Sequence, residues 1–578
     1  MFKKRILIII LILLAPLALS ARNSTIESMG VKIAAVPGYN GRCTSGYVFY
    51  RVTVSNRSGE EKNIRLFMNS SYSGELEQVT RRFKIAAGET RVESLFFPVM
   101  DFSSQGMKVE IDGYVLQENL FDYLSHYRDY YRKRQTLVDN RIARSEFEAV
   151  FGSGRGSHDV ETSSFDGSYG QMDSSWLGYS QFNSLIFYAE SLAQMTPETR
   201  IAIFNYVRAG ASMMILGNFE LPSDFVAIEA KVPENLHDFR AFSGGFGRIL
   251  MTQEDALTQV ATASGNPFPD LNQDPFASIN SRSRSPLTFT DQEVKTVSVQ
   301  WLMIIIYIFA FVIGPVNVYV LHKLEKKIWV FWTVPVASAI CCLFIFAYYW
   351  LFESSTLLVK KRALTLLDER NNQAITLGNF AVYSSASRAD GFKFSYDTEV
   401  RPIMARNYRN TDGGKIINLD DGQNFAEGWI RPKIPRYLHL RTVHLRRERL
   451  TIEKGGNDEF QILNGLGARA KRIMVRMADG KLYECSGVKP GDKASLFLSN
   501  KMVSNRSSRK PVDLYEMFNS EWYDNYDFLI KEPEYYLNSG MYIAVLDGTP
   551  FIDKQSFERS DSQEDSVVIG YMSNGGQL

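Results

Sequence analysis

The sequence predicts a multidomain membrane protein: a β-sandwich, an α/β unit with a parallel sheet, a two-helix transmembrane hairpin and a C-terminal β-rich domain. Three observations predict it. Two long uncharged runs stand six residues apart near the middle of the chain, a strand–helix–strand pattern precedes them, and short alternating strands with turn punctuation occur on both sides. At 578 residues the chain is too long for one core. Lys plus Arg number 65 against 64 Asp plus Glu, so there is no positive excess to hold a polyanion, and nucleic acid is not expected as a partner. The expected divisions are 1–20, 21–126, 127–260, 261–299, 300–352 and 353–578.

The first segment, 1–20, reads as a signal peptide. "MFKKR" is a basic n-region, "ILIIILILLAPLAL" an apolar h-region, and Ala18-Leu19-Ser20 offers the small–x–small cleavage pattern. Cleavage and retention as an anchor stay open; either way the residues after Ser20 are expected to be exported. Four cysteines make no disulfide framework. Cys341 and Cys342 read as buried filler in an apolar run, and whether Cys43 and Cys485 pair is left open. No CxxC and no Cys/His cluster is present, so neither a metal nor a cofactor is expected.

The sandwich, 21–126, is justified by "YVFYRVTVSN", the turn "RSGE", the returning "KNIRLFMNSS", and "FKIAAGETRVESLFFPV" with its turn at Ala87-Gly88-Glu89. Strands at this spacing suggest an immunoglobulin-like arrangement. In the α/β unit, 127–260, "SLIFY" and "SMMILG" are apolar runs suited to buried parallel strands. Between them Thr196 is placed as N-cap and Pro197 as the first helical residue. Ile201, Phe204 and Val207 mark an apolar face, and Gly210 ends the helix. "QTLVDN" (135–140) and "FGRILM" (246–251) are further strand candidates. Segment 261–299, with Pro267, Pro269, Pro275 and Pro286, reads as a linker.

In the hairpin, 300–352, "WLMIIIYIFAFVIGPVNVYVL" spans roughly 30 Å as a helix, enough to cross the hydrocarbon core. "IWVFWTVPVASAICCLFIFAYYWLF" is a second such run, and "HKLEKK" between them leaves no room for a domain. Lys323, Lys326 and Lys327 assign the bend to the cytoplasmic side, so both flanks face the other way. Trp301, Trp329, Tyr348, Tyr349 and Trp350 suit the interfaces. Gly314-Pro315 and Pro335 are expected to kink or loosen the helices, and Asn317 to bond across the pair. The spans carry no charge, which argues against a transport path.

The C-terminal domain, 353–578, repeats the strand grammar of the first sandwich. In "FQILNGLGARAKRIMVRMADGKLYECSGVKPGDKASLFLS", Asn464 follows a strand as Asn56 does, and Gly491-Asp492 makes a turn as Gly88-Glu89 does. The expectation is two modules of similar design with loops of different length. "RYLHLRTVHLRRERL" could offer Arg441, Arg446, Arg447 and Arg449 to an anionic surface, though ordinary exposed strand faces explain it as well. "GSGRGSH" (152–158) follows a helix-like segment instead of a strand, so it reads as a loop and not a phosphate cradle.

"WLGYSQFNSLIFY" followed by "TPETRIAIFNYVRAGASMMILG" resembles the class I glutamine-amidotransferase-like fold of uncharacterised bacterial envelope proteins. "IGPVNVYVLHKLEKKIWVFWTVPV" is similar to the hairpin of the same group. The resemblance implies an amidotransferase-like domain beside sandwich domains at the bacterial inner (cytoplasmic) membrane, facing the periplasm. It also implies a Cys nucleophile with His and Glu, yet no Cys occurs between 43 and 341. Asn218 and Phe219 follow the "MMILG" strand, Ser191 lacks a G-x-S-x-G setting, and His158 and His237 sit in no triad pattern. No catalytic, cofactor or metal residue is therefore assigned. The expectation is a non-enzymatic cell-envelope protein, integral to the membrane, that binds or scaffolds other membrane or envelope proteins, such as a transporter it assists. The alternative is a divergent hydrolase using Ser191 or an acidic pair.

Overall fold

The computed structural model describes residues 24–39, 46–70, 76–98, 104–120, 134–142, 160–165, 172–228, 239–253, 287, 289–290, 299–325, 327–352, 357–385, 391–402, 414–455, 459–499, 537–555, 557 and 560–573. Residues 1–20, expected to be a signal peptide, Cys43, His158, His237, the "GSGRGSH" stretch and nearly all of 261–299 lie outside them. The described strands form four sheets, of four, seven, eleven and seven strands.

Strands form where the alternation of the N-terminal segment places them. Strand Tyr47–Asn56 pairs with Val31–Pro37 on one side and Thr90–Pro98 on the other, all antiparallel. The facing sheet runs Leu76–Ile85, Lys62–Ser70, Ser104–Ile111, Tyr114–Asn119. Apart from Ser24–Ser28, which pairs with Val31–Pro37, and a pairing of Leu482–Val488 with Lys493–Leu498, a similar strand pairing recurs near the C-terminus. Phe460–Gly465 lies between Arg449–Lys454 and Lys493–Leu498, and the order Leu482–Val488, Arg469–Arg476, Met541–Asp547, Ser560–Tyr571 completes the module.

The two asparagines key the two modules in the same way. Asn56 Nδ2 donates to the carbonyls of Glu60 (2.7 Å) and Ile85 (3.2 Å), while its Oδ1 accepts from the Ser58 amide (3.0 Å). Asn464 Nδ2 donates to Ala468 (2.9 Å) and Val488 (3.0 Å), and its Oδ1 accepts from the Leu466 amide (3.1 Å). The backbone amide of each asparagine donates to the acidic residue of the partner turn, Glu89 or Asp492. Both asparagines are almost fully buried, with every amide-group function paired, as burial requires. The loops do differ, most of all between Pro98 and Ser104 against Leu498 and Met541.

In the α/β unit the strands Arg134–Val138, Val160–Ser163, Ser184–Tyr188, Ser212–Leu216 and Gly247–Thr252 are parallel to their neighbours, in the order 2-1-3-4-5. Arg240–Gly244 and Val226–Ile228 extend that sheet antiparallel. Helix α1 (Ala189–Gln194) and helix α2 (Pro197–Arg208) connect the third and fourth strands. Thr196 caps α2, its Oγ1 accepting from the Thr199 amide (3.2 Å), and Pro197 opens the helix. Gly210 follows the end with φ +114°. The buried face differs from the expected one: Ile203, Phe204, Tyr206 and Val207 are buried, whereas Ile201 is 58% exposed. The three-residue spacing carries Ile201 around the helix to the solvent side.

The parts of the chain before and after the two apolar helices share sheets and cores. Strand Lys415–Asn418 runs parallel to Leu76–Ile85, so the second seven-stranded sheet contains strands from before and after residues 299–352. Ile417, Phe392, Phe425 and Trp429 share a core with Ile64, Leu66 and Val109. In the eleven-stranded sheet, Leu357–Asp368 pairs in parallel with Ser560–Tyr571 over its full length. Alternation splits its residues between layers: Leu364, Leu366, Ile375, Ile543 and Ile569 pack on the α/β unit, while Leu367, Ala374, Tyr542 and Val568 enter the second sandwich. The expected boundaries at 126 and 353 thus divide the sequence but not the sheets.

Two helical segments, Met303–Lys323 and Val330–Ala347, are long and apolar enough to cross a membrane, and nearly all of their surface is exposed. The first comprises helix α3 (Val299–Phe311), a π-helical turn at Val312–Val316 and helix α4 (Asn317–Lys323); the second is helix α5 (Val330–Phe352). The π turn sits at Gly314-Pro315, where proline removes a helical donor. Helix α5 continues through Pro335. Asn317 Nδ2 donates to Thr333 Oγ1 across the pair (3.0 Å), satisfying the polar group as expected. Cys341 is partly exposed and Cys342 exposed, contrary to the buried reading: the apolar run faces outward instead of into a protein core. Cys485 is a buried free thiol, and burial lifts it to about 11.

Candidate functional site

In a sheet of order 2-1-3-4-5, the crevice lies beyond the carboxyl ends of the first and third strands, where the chain reverses direction of winding. Those ends are Val138 and Tyr188. Asp139, just past the first, is buried. Its Oδ1 accepts from the Arg141 amide (3.0 Å) and its Oδ2 from the Tyr188 amide (3.1 Å). Arg141 Nη1 donates to Glu190 (2.8 Å), and its guanidinium lies 4.2 Å from the Tyr188 ring centroid. The neighbouring Asn140 Oδ1 accepts from the Phe165 amide (3.1 Å). These are positioning contacts. Asp139 is engaged by backbone donors, while Asn140, Arg141 and Glu190 are exposed, the last two as an ion pair.

Ser191 stands in α1 just behind this edge, fully buried, and its Oγ has no hydrogen-bond partner among the described residues. A hydroxyl closed off from solvent and from a base cannot meet a substrate. After the fourth strand the chain passes Gly217 (φ +102°) into an extended segment at Asn218 and Phe219, without the helix that a nucleophile turn requires. Among the described residues, no three His, Cys, Asp or Glu side chains gather closely enough to hold a metal ion.

A buried polar cluster, which sequence reasoning missed, lies where the two flanks and the α/β unit meet. Glu399 bonds Arg401 through Oε1, and its Oε2 accepts from Arg441 Nε (2.7 Å). The side chains of Glu399 and Arg441 are 0% exposed. Arg441 also donates to the Ala209 carbonyl (3.2 Å) and lies over the Trp176 and Tyr206 rings. Arg401 reaches the Ser180 carbonyl (3.3 Å). Tyr47 of the first sandwich accepts from the Val400 amide (3.1 Å) and donates to Gln423 (2.6 Å), while its own amide donates to Ser180 Oγ (3.1 Å). Gly46 makes the approach possible: a Cβ there would sit 2.2 Å from the Ser180 carbonyl oxygen. Burial, with Arg401 nearby, pushes His439 down to about 3, so the imidazole is neutral beside Asn379. The reading of Arg441 as a surface cation is therefore corrected: it is the centre of this junction.

Asp173 borders the same junction. Burial raises its carboxyl to about 6, against the opposing pull of the Ser175 and Ser174 amides and Arg51. Its Oδ2 has no hydrogen-bond partner among the described residues. A carboxyl raised in the folded state favours folding at low pH, and that contribution is lost as pH rises through about 6. Asp173→Asn is thus expected to stabilise the protein by about 2–3 kcal/mol at pH 8 and by much less at pH 4.5. Urea unfolding at both pH values measures the difference; equal effects at the two would contradict the assignment.

No protein-family model matches the chain, and no curated protein matches it significantly. Among solved structures, the mu-homology domain of yeast delta-COP-I is 6% identical, with a TM-score of 0.18 over 37% of this chain and 96% of that one. A β-glucosidase from Kluyveromyces marxianus is 7% identical, with a TM-score of 0.08 over 78% of this chain and 45% of that one. Neither likeness is close enough to inform fold or function.

Proposed function

We propose that the protein is a non-enzymatic membrane component of the bacterial cell envelope. Its helix pair crosses the inner membrane as a hairpin, and both flanks stand on the extracytoplasmic side. There the protein binds or scaffolds other envelope proteins. The observation that carries this reading is the pairing of Lys415–Asn418 with Leu76–Ile85. Segments on either side of the apolar helices share backbone hydrogen bonds, so helices that span must cross twice and return. The exposed apolar faces of the pair, including Phe331 at 82% and Trp332 at 73%, suit lipid and neighbouring helices. The α/β unit presents the Arg141–Glu190 ion pair at its strand ends and keeps Ser191 buried, which favours recognition over turnover. Membership of the amidotransferase-like envelope group is part of the proposal and rests on the motifs quoted above.

Mild-detergent extraction followed by chemical cross-linking and size measurement tests it. A discrete complex with other envelope proteins is expected. A chain that emerges alone and monomeric, or that labels at Ser191 with an active-site serine probe, would sink the scaffold reading.

A further inference from the structure

The two Asn-keyed modules differ at one edge. In the C-terminal module, Met541–Asp547 is followed by Ser560–Tyr571, antiparallel to it, and this last strand takes a further partner on its outer side. That partner is Leu357–Asp368, parallel to it from the Leu357–Ser560 pair to the Asp368–Tyr571 pair. The added strand helps to close the second sandwich, because its Leu367 is buried in the same core as Tyr542 and Val568.

In the N-terminal module the corresponding strands are Ser104–Ile111 and Tyr114–Asn119, again antiparallel. Tyr114–Asn119 ends its seven-stranded sheet, and no described strand lies on its outer side. The side chains register the difference. Leu116 packs on the core of Ile64, Leu66 and Val109 but is only partly buried. Tyr114 is 67% and Val115 52% exposed, and Gln117 and Glu118 are exposed as well. Sheet edges are ordinarily kept closed by lysine, proline or a cover. "YVLQEN" contains neither Lys nor Pro, whereas the edge strand Thr90–Pro98 of the facing sheet ends in proline. Register slips between Lys108 and Glu110, so the regular ladder lies at Tyr114 and Val115, opposite Ile111 and Glu110, and an added strand would meet the edge there.

We propose that the Tyr114–Asn119 edge binds an extended segment of a partner protein as an added parallel strand, with apolar side chains at alternate positions turned towards Leu116. This deepens the reading of the chain as a binder of other envelope proteins and rests on it. The counterpart edge supplies the chemistry of the occupant: Leu357–Asp368 is such a segment, held along its length by main-chain pairing. Main-chain bonds of this kind give affinity, and alternate side chains set the register.

The probe is a synthetic peptide of sequence "LLVKKRALTLLD", offered to the full chain in mild detergent. Its own place beside Ser560–Tyr571 is already filled in every chain, which leaves the open edge. Saturable binding is expected. It should be lost when the peptide carries Leu364→Pro with Thr365→Pro, which removes a main-chain donor from each side of the strand. Tyr114→Lys with Val115→Lys in the protein is expected to weaken it roughly tenfold. Val92→Lys, at an equally exposed position on the facing sheet's edge, should leave it unchanged. An unaltered unfolding midpoint shows that the variants fold. A benzophenone-bearing residue placed first at Tyr114 and then at Glu118 should label the peptide at positions that move towards its C-terminus, the parallel sense. No binding, equal binding of the proline peptide, indifference to the paired lysines, or labelling that moves the other way overturns the proposal. The extraction and cross-linking experiment separates the two readings. A discrete complex that survives Tyr114→Lys with Val115→Lys defeats this edge alone, whereas a parent chain that emerges alone defeats the binding reading and this proposal together.

Discussion

Expressed without the residues after Phe352, the N-terminal part is expected to be insoluble or degraded, and co-expression of 353–578 should rescue it. The truncation strips Lys415–Asn418 from the edge of Leu76–Ile85 and removes Phe392, Ile417, Phe425 and Trp429 from the core they share with Ile64 and Val109. It also uncovers the α/β unit where Leu364, Ile375, Ile543 and Ile569 cover it. Each such side chain is worth about 1.5–3 kcal/mol of burial, so their combined loss exceeds the 5–15 kcal/mol that holds a typical domain together. Limited proteolysis of the fragment against the full chain measures the effect. A fragment as resistant as the parent would show that the shared sheet is dispensable.

Glu399→Gln is the point substitution expected to cost most, about 3–5 kcal/mol by urea unfolding. It removes the buried carboxylate that both Arg401 and Arg441 bond, at the place where Arg441 also holds the Ala209 carbonyl. The loss comes from the stranded charges and not from the missing contact. Replacing all three residues with Met should therefore recover most of the stability, because no buried charge then remains. A Glu399→Gln protein within about 1 kcal/mol of the parent would show that solvent already reaches the cluster.

Local features were legible in the sequence because they are fixed by neighbours along the chain. Thr196 and Pro197 announced a helix start, "SLIFY" and "SMMILG" two buried strands, and Asn56 and Asn464 two similar corners, each through chemistry confined to a few residues. Asn317 could be paired in advance because a polar group in an apolar helix has few ways to be satisfied. The exchange of strands across the two apolar helices was not legible. Lys415–Asn418 is four residues of ordinary pattern, and nothing in it names a partner more than three hundred residues earlier. Arg441 misled for a related reason: in an alternating strand a cation reads as solvent-facing, and only tertiary contact supplies Glu399 to bury it. The crevice at Val138 and Tyr188 needed the strand order, which local pattern does not contain.

The parallel seam between Leu76–Ile85 and Lys415–Asn418 sets a schedule. At ordinary synthesis speeds of about 5–20 residues per second, the early strand waits roughly 15–70 s for its mate to be made. Throughout that interval its edge is a template for any other strand. Maturation of the first module is thus gated by the last third of the message, and a chaperone that shields open sheet edges would have its longest task there.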